Sequence, residues 1–424
     1  MSDTEYQLLY LEDTGDLQLE STDTGASVSS TVSNLANSVT GAAVLTLASA
    51  MVDTGLGLGI ILLLFIALMS GIAFMFIAEC CTLTSQYSFK GLAANLLGKQ
   101  YAVLVDLLIA VYTFGTSTAY CVALGDFFPS LFQLFLPSSL PSFVFKKSSV
   151  VIIIAVFILL PLSLLPNIDA LRVTSSLSLL CPIYLIFVIV FHLVTGNIPE
   201  TPDLPRGPIV WFNLSSHIFL AIPLLSVSFT AHYNVPKMIN ELDKRSLKKF
   251  KTVVISAIII CVVLYSLSAV TGYVTFRAAT NGDILNNFDN DDLLALIAKG
   301  IMGFSIAFSF PLVLFGLRTS FENLILKNPT PNWFRQVVLS IMFIAGAVTI
   351  ALVEDRINVV IRFNGALGLF VTCVFPGFFM LKVSKDSKEK FKGKRIMAVG
   401  LIVIGLFLIV NCFYNAFKNL QASK

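Results

Sequence analysis

Apolar residues in this chain come in blocks of about twenty to twenty-five, the length a helix needs to cross a hydrocarbon core of ~30 Å at ~1.5 Å per residue. Such blocks fall near residues 31–51, 56–80, 101–131, 148–166, 173–195 and 209–236, then near 248–276, 293–317, 335–353, 357–381 and 396–417. They predict an all-α integral membrane protein of about eleven spans. Of the 424 residues, 56% are hydrophobic and 12% charged, about half the charged share of ordinary soluble domains. No water-soluble core hides that much apolar surface.

The formal charge of +3 says little, because the basic residues gather in a few loops instead of forming one nucleic-acid-binding face. Segment 1–30 is acidic and polar, with Glu5, Glu12, Asp13, Asp16 and Glu20. It is expected to be a disordered tail without a cleavable signal, leaving the first span to direct insertion. With that tail in the cytoplasm, 19 of the 28 Lys and Arg residues fall on the cytoplasmic side, Arg318 and the runs at 244–251 and 382–395 among them. This bias puts the N-terminus inside and the C-terminus on the exoplasmic or luminal face. The seven cysteines, Cys80, Cys81, Cys121, Cys181, Cys261, Cys373 and Cys412, lie in or at the ends of apolar blocks without CxxC spacing. They read as packed thiols, not as a zinc or disulfide centre.

Two blocks five apart in the count are unlike plain membrane helices. The first, TVSNLANSVTGAAVLTLASAM, puts Asn34, Asn37, Thr40 and Gly41 at membrane depth; the sixth, FLAIPLLSVSFTAHYNVPKMI, puts Pro223, Ser226, Ser228, Thr230 and His232 there. Helix breakers and polar groups at depth are tolerated where the backbone lines a cavity within the protein. Matching interruptions in two halves of a chain point to a transporter built on inverted repeats, with its site at the midplane. The plain alternative for either block alone is a kink with Ser and Thr hydroxyls bonded back to their own helix.

At these residues the chain resembles the amino acid/auxin permease family, which includes sodium-coupled neutral amino acid transporters and fungal vacuolar amino acid transporters. NLANSVTGAAVL, MVDTGLGLG, FGTSTAYCVALGDFFP, PLSLLPNIDALRVTSSLSL, SFTAHYNVPKMINEL and FSFPLVLFGLR carry the resemblance, which runs over most of the chain from Thr31. It implies one transmembrane domain over 31–424 with a LeuT-like, five-plus-five inverted repeat: one repeat at about 31–195, the other at about 209–381, and an extra helix at about 396–417. It also implies secondary active transport of small neutral amino acids by alternating access, coupled to sodium or protons. One departure is that Gly41, Ala42 and Ala43 stand where the family often has Gly-Ser-Gly. Only Gly41 then relieves the cost of unusual dihedrals.

An amino acid brings a carboxylate and an ammonium into a low-dielectric pocket, and each must be met, since an unpaired buried charge costs several kcal/mol. A break near Gly41 is expected to free the N–H groups of Gly41, Ala42 and Ala43 for the carboxylate, with help from the positive end of the following half-helix. Unwound carbonyls at Ser228, Phe229, Thr230 and Ala231 are expected to accept the ammonium. The resemblance assigns a sodium-binding asparagine to Asn37 and a hydroxyl ligand to Ser305 or Ser309, which lie four apart on one helix face. Interhelical hydrogen bonds are the structural alternative for these three. Thr113, Gly115, Thr116, Ser117 and Thr118 read as a small-residue packing stripe, with Tyr120 nearer the substrate.

Of the ionisable groups in or near spans, Glu79, Asp106 and Asp126 are expected to be structurally paired, while His192 and His217 lie towards span ends. His232, at the end of the second break, is a candidate pH sensor or a cap for freed carbonyls. Sodium and proton coupling both stay open, as does an amino acid sensor with little flux. An intramembrane enzyme is not expected: the three histidines form no HExxH and no GxSxG is present. No cofactor is expected beyond the coupling ion, and the chain is expected to act as a monomer. YQLL at Tyr6 fits an adaptor sorting pattern, so the plasma membrane and a lysosomal or vacuolar membrane both fit, and the Asn-Leu-Ser sequon at Asn213 sits too near a span to favour glycosylation.

Overall fold

The computed structural model describes residues 25–137, 139–165, 180–199, 206–326, 332–385 and 392–422. The acidic tail through residue 24, with its YQLL, lies outside these residues, as do the 166–179 part of the PLSLLPNIDALRVTSSLSL stretch and the cations Arg172, Lys327, Lys388 and Lys390.

Helix α1 (Val28–Val39) starts where Ser27 accepts a hydrogen bond from Ser30 N–H, and it ends at Thr40. A tight turn of 3-10 helix (Ala42–Thr46) leads into α2 (Leu47–Thr54), and the two halves of this first span are bent by 51°. The chain continues through α3 (Leu56–Thr84), the short α4 (Phe89–Leu96), α5 (Lys99–Phe135), α6 (Lys147–Ser163) and α7 (Leu180–Thr195). The sixth span is α8 (Ile218–Val227), an interruption, and α9 (Val235–Glu241). Then follow α10 (Leu247–Phe276), α11 (Leu293–Ile325), α12 (Trp333–Val353), α13 (Ile357–Val383) and α14 (Lys392–Ala422). Among the described residues, eight helical segments are long and apolar enough to cross a membrane, or nine with the bent first span. The shorter apolar α6 and α7 occupy the fourth and fifth expected blocks.

Large apolar side chains such as Phe157, Val194 and Val353 stay more than 70% exposed, as a lipid-facing belt requires. Inside, the helices approach through small residues, because lipid offers no hydrophobic drive to associate and close packing must supply it. A Cβ added at Gly365 of α13 would lie 2.1 Å from the Pro223 carbonyl oxygen of α8, and one at Gly115 of α5 would lie 2.4 Å from Asn364 Oδ1. These glycines let α13 seat directly on the backbones of the interrupted span and of α5.

Two expected boundaries are corrected. The sixth block does not begin as helix at residue 209. Residues 206–214 are non-helical, and Leu56 N–H donates to Val210 O at 2.9 Å, Gly57 N–H to Trp211 O at 2.8 Å and Asn213 N–H to Thr54 O at 2.7 Å. This apolar segment satisfies its backbone against the start of α3, which hydropathy does not distinguish from a helix. The eighth block runs on to Ile325, so Arg318 is no loop cation: it is 5% exposed within α11 and donates to Ser163 O at 3.2 Å and Ser340 Oγ at 2.6 Å.

Candidate substrate site at the broken first span

The first break leaves three backbone donors without an intrahelical acceptor. The first hydrogen bond of the turn runs from Val44 N–H to Gly41 O at 3.3 Å, so the N–H groups of Gly41, Ala42 and Ala43 precede any acceptor in their own helix. Beside them is a narrow cavity lined by Thr40, Gly41, Ala42 and Val44 from the break, Tyr120 from α5, Cys181 and Pro182 from α7, and Met302, Ser305, Ile306 and Ser309 from α11. Five of the residues expected at the site, Gly41, Ala42, Tyr120, Ser305 and Ser309, thus meet in one cavity. Ala43 is buried behind them, its carbonyl accepting from Thr46 Oγ1 at 2.9 Å.

Gly41 corrects an expectation. Its backbone, at φ −136° and ψ −159°, is extended, a conformation open to any residue. A Cβ at Gly41 would meet Tyr120 Oη at 3.5 Å, an ordinary contact, so the missing side chain serves as room in the cavity.

Asn37 lies one turn before Thr40, and its Oδ1 is buried without a hydrogen-bond partner. It does not line the cavity itself. Thr40 Oγ1 donates back to Ala36 O at 2.8 Å and is itself a hydrogen-bond partner of Tyr265 and Cys261 on α10. Ser305 and Cys181 are hydrogen-bonded neighbours across α11 and α7.

The second break forms but faces elsewhere. After α8, Ser228 Oγ donates to Leu224 O at 3.0 Å and Thr230 Oγ1 to Ser226 O at 2.8 Å, and Ser228, Phe229, Thr230 and Ala231 are buried without lining the cavity. Tyr265 of α10 joins the two breaks: its hydroxyl donates to Val39 O at 3.1 Å, and its ring meets the Phe229 ring edge-on at 5.3 Å. His232 is fully buried, stacks on Phe74 with centroids 4.2 Å apart, and neither ring nitrogen caps a freed carbonyl.

The acids at span ends are paired. Lys394 reaches Glu79 at 2.6 Å, Lys90 reaches Asp106 at 2.8 Å, and Lys147 pairs with Asp126. His192 sits 2.8 Å from Asp292, whereas His217 is exposed. Along α5, the hydroxyls of Thr113, Thr116, Ser117 and Thr118 bond back to their own helix, and Asn364 Nδ2 donates to Thr116 Oγ1 at 3.0 Å. That stripe is helix packing.

Sequence reasoning missed the buried pair of Asp53, at the end of α2, and Arg362 of α13, whose Nη2 donates to Asp53 Oδ2 at 2.6 Å. Arginines inside apolar blocks are rare enough that Arg362 was a usable signal. Tyr265, Met302 and Ile306 carried no such mark.

The family model for transmembrane amino acid transporter proteins matches residues 24–418. Vacuolar amino acid transporter 5 of Schizosaccharomyces pombe is 30% identical over 399 residues, covering 90% of this chain and 92% of its own. Sodium-coupled neutral amino acid symporter 2 of Danio rerio is 25% identical over 408 residues, covering 91% of this chain and 81% of its own. A solved structure of a Na+-coupled sialic acid symporter, substrate-bound and outward-open, matches with a TM-score of 0.53 over 98% of this chain and 97% of its own, at 14% identity. That is a likeness of fold, and it places the chain in the LeuT-like architecture.

Proposed function

As the chain belongs to the transmembrane amino acid transporter family, the amino acid/auxin permeases, we propose that its cavity at the broken first span takes a small neutral amino acid and carries it by alternating access. The observation that carries this reading is the run of three donors without intrahelical acceptors at Gly41, Ala42 and Ala43, of which Gly41 and Ala42 line a cavity shared with Tyr120, Ser305 and Ser309. The donors take the carboxylate, and their place at the start of a half-helix adds its dipole. Among the described residues, no Lys, Arg, Asp, Glu or His side chain lines the cavity, which favours a substrate with an uncharged side chain. Val44, Pro182, Met302 and Ile306 form the apolar wall for a small side chain. The carbonyls at residues 228–231 accept the ammonium only after the interrupted sixth span swings towards the first, with Tyr265 as the link between them.

The coupling ion in this reading is sodium. Asn37 Oδ1, left without a donor, and the hydroxyls of Ser305 and Ser309 are neutral oxygens of the kind that hold it. With the N-terminus cytoplasmic, Asp53–Arg362 closes the exoplasmic or luminal end. At the cytoplasmic end, Ala26 N–H donates to Glu241 O at 2.8 Å and Asp243 N–H to Ala26 O at 3.1 Å, which ties the chain before α1 to the end of α9. The S. pombe relative's vacuolar name favours a vacuolar membrane as the site of action.

Reconstituted vesicles with sodium and pH varied independently test this. Uptake of labelled alanine or serine should follow the sodium gradient at fixed pH. Uptake that follows only the pH gradient removes the sodium assignment, and specific binding without flux turns the carrier into a sensor.

A further inference from the structure

The loop between α10 and α11 folds back onto the broken first span. Its turn at Ile284–Asn287 packs against Ala42–Thr46, and a Cβ at Gly272 would touch both Ala48 Cβ (2.7 Å) and Ile284 Cδ1 (3.3 Å), which shows how closely loop, α10 and α2 meet. The loop is held in shape by its own side chains. Asn281 N–H donates to Asn287 Oδ1 at 2.8 Å, Asn287 Nδ2 to Ala279 O at 2.7 Å, Asp283 N–H to Asn281 Oδ1 at 3.1 Å and Leu285 N–H to Asp283 Oδ1 at 3.0 Å.

At the centre of this arrangement Asp283 is 1% exposed, and its second oxygen, Oδ2, is buried with no hydrogen-bond partner. An ionised carboxylate in that setting is costly, because half its charge is neither hydrated nor bonded; a protonated carboxyl is far less so. The charged groups around it come from every neighbouring element. Asp126 of α5 is held by Lys147 of α6, which also donates to Asp355 O at 2.9 Å. Lys299 of α11 donates to Asn290 Oδ1 at 3.3 Å instead of to Asp283. Asp289 and Asp292 act on Lys299 from the far end of the loop, and His192 of α7 sits against Asp292. Both nearby cations thus have other partners, and the orphan oxygen has none.

We propose that Asp283 is a proton-binding site on the exoplasmic or luminal face, and that the bound proton latches this loop over the broken first span. The site itself stands on local geometry; the consequence for transport rests on the carrier reading above. Burial, followed by repulsion from Asp126, pushes the Asp283 carboxyl up to about 8 from its ordinary value of 3.8. A docked loop therefore holds a proton that a released loop gives up. The latch is fully present below the ordinary carboxylate range and is lost as pH rises through about 8. An acidic lumen keeps the lid down, and a neutral exterior loosens it.

Two measurements on the full-length protein test this, neither of which depends on substrate flux. In detergent, the thermal midpoint of the wild type should fall from pH 5.5 to pH 8.5. Asp283→Asn, which keeps the shape without a titrating charge, should flatten that fall. Asp126→Asn, which removes the repelling carboxylate, should move it to lower pH. An Asp283→Asn protein as pH-sensitive as wild type, or an Asp126→Asn protein with no displacement of the profile, overturns the proton site. For the latch, Ile284→Cys should react with a membrane-impermeant maleimide several-fold faster at pH 8.5 than at pH 5.5, after correction for thiolate content on a free thiol. Adding Asp283→Asn should hold the rate at the slow, acid-side value. A corrected rate equal at both pH values overturns the latch.

Discussion

Single side chains decide what the cavity holds. Gly41 is extended, so replacing it tests space and not backbone strain: Gly41→Ala should fold with a thermal midpoint near that of wild type while raising the KM for uptake, and Gly41→Leu should abolish uptake. A Gly41→Leu protein with normal uptake would show that the substrate binds elsewhere. Asn37→Ala removes the buried amide oxygen left without a donor. With a charge-bearing contact worth about 1.5–3 kcal/mol, sodium affinity should drop at least about tenfold. Unchanged sodium dependence would remove Asn37 from the ion site. At this scale the sequence was partly legible. Residue types and order pick out Gly41 and Tyr120, and the family resemblance adds Ser305 and Ser309, which share one cavity with them; the extended backbone at Gly41 needs no dihedral relief, because dihedral angles are set by the neighbours. Asp53 and Arg362 were missed as a pair because 309 residues separate them and no local pattern connects the two.

Among the elements, the two interrupted spans work through a third. Tyr265 on α10 donates to the last carbonyl of α1 and packs on Phe229 beyond α8, so α10 ties the two breaks together. Tyr265→Phe keeps the ring contact and loses one hydrogen bond, a change of about 1 kcal/mol in stability. The variant should fold and show a lower turnover number with a smaller change in KM; wild-type turnover would leave Tyr265 as packing alone. Element lengths were legible in the sequence because apolar run length maps onto membrane thickness, which is why the blocks at 56–80 and 357–381 reappear as α3 and α13. The start of the sixth span was not, since residues 209–212 are as apolar as a helix but bond to the start of α3. Nor was the facing of the second break, where Ser228 and Thr230 turn their hydroxyls back on α8.

At the scale of the whole molecule, transport requires the ends of the bundle to open in turn. Asp53–Arg362 is a buried ion pair at the end opposite Ala26, and removing one partner of such a pair leaves an uncompensated charge at a cost of about 3–5 kcal/mol. Asp53→Asn should therefore lower the thermal midpoint by several degrees and cut uptake, and pairing it with Arg362→Met should recover the midpoint without recovering transport. Recovery of both would make the pair a structural strut. The most direct test of the account is counterflow in proteoliposomes with labelled alanine and serine, run beside their α-amides and N-acetyl derivatives. If the free N–H groups at Gly41, Ala42 and Ala43 hold a carboxylate and unwound carbonyls hold an ammonium, only the zwitterions accumulate. Equal counterflow of the amides would contradict it.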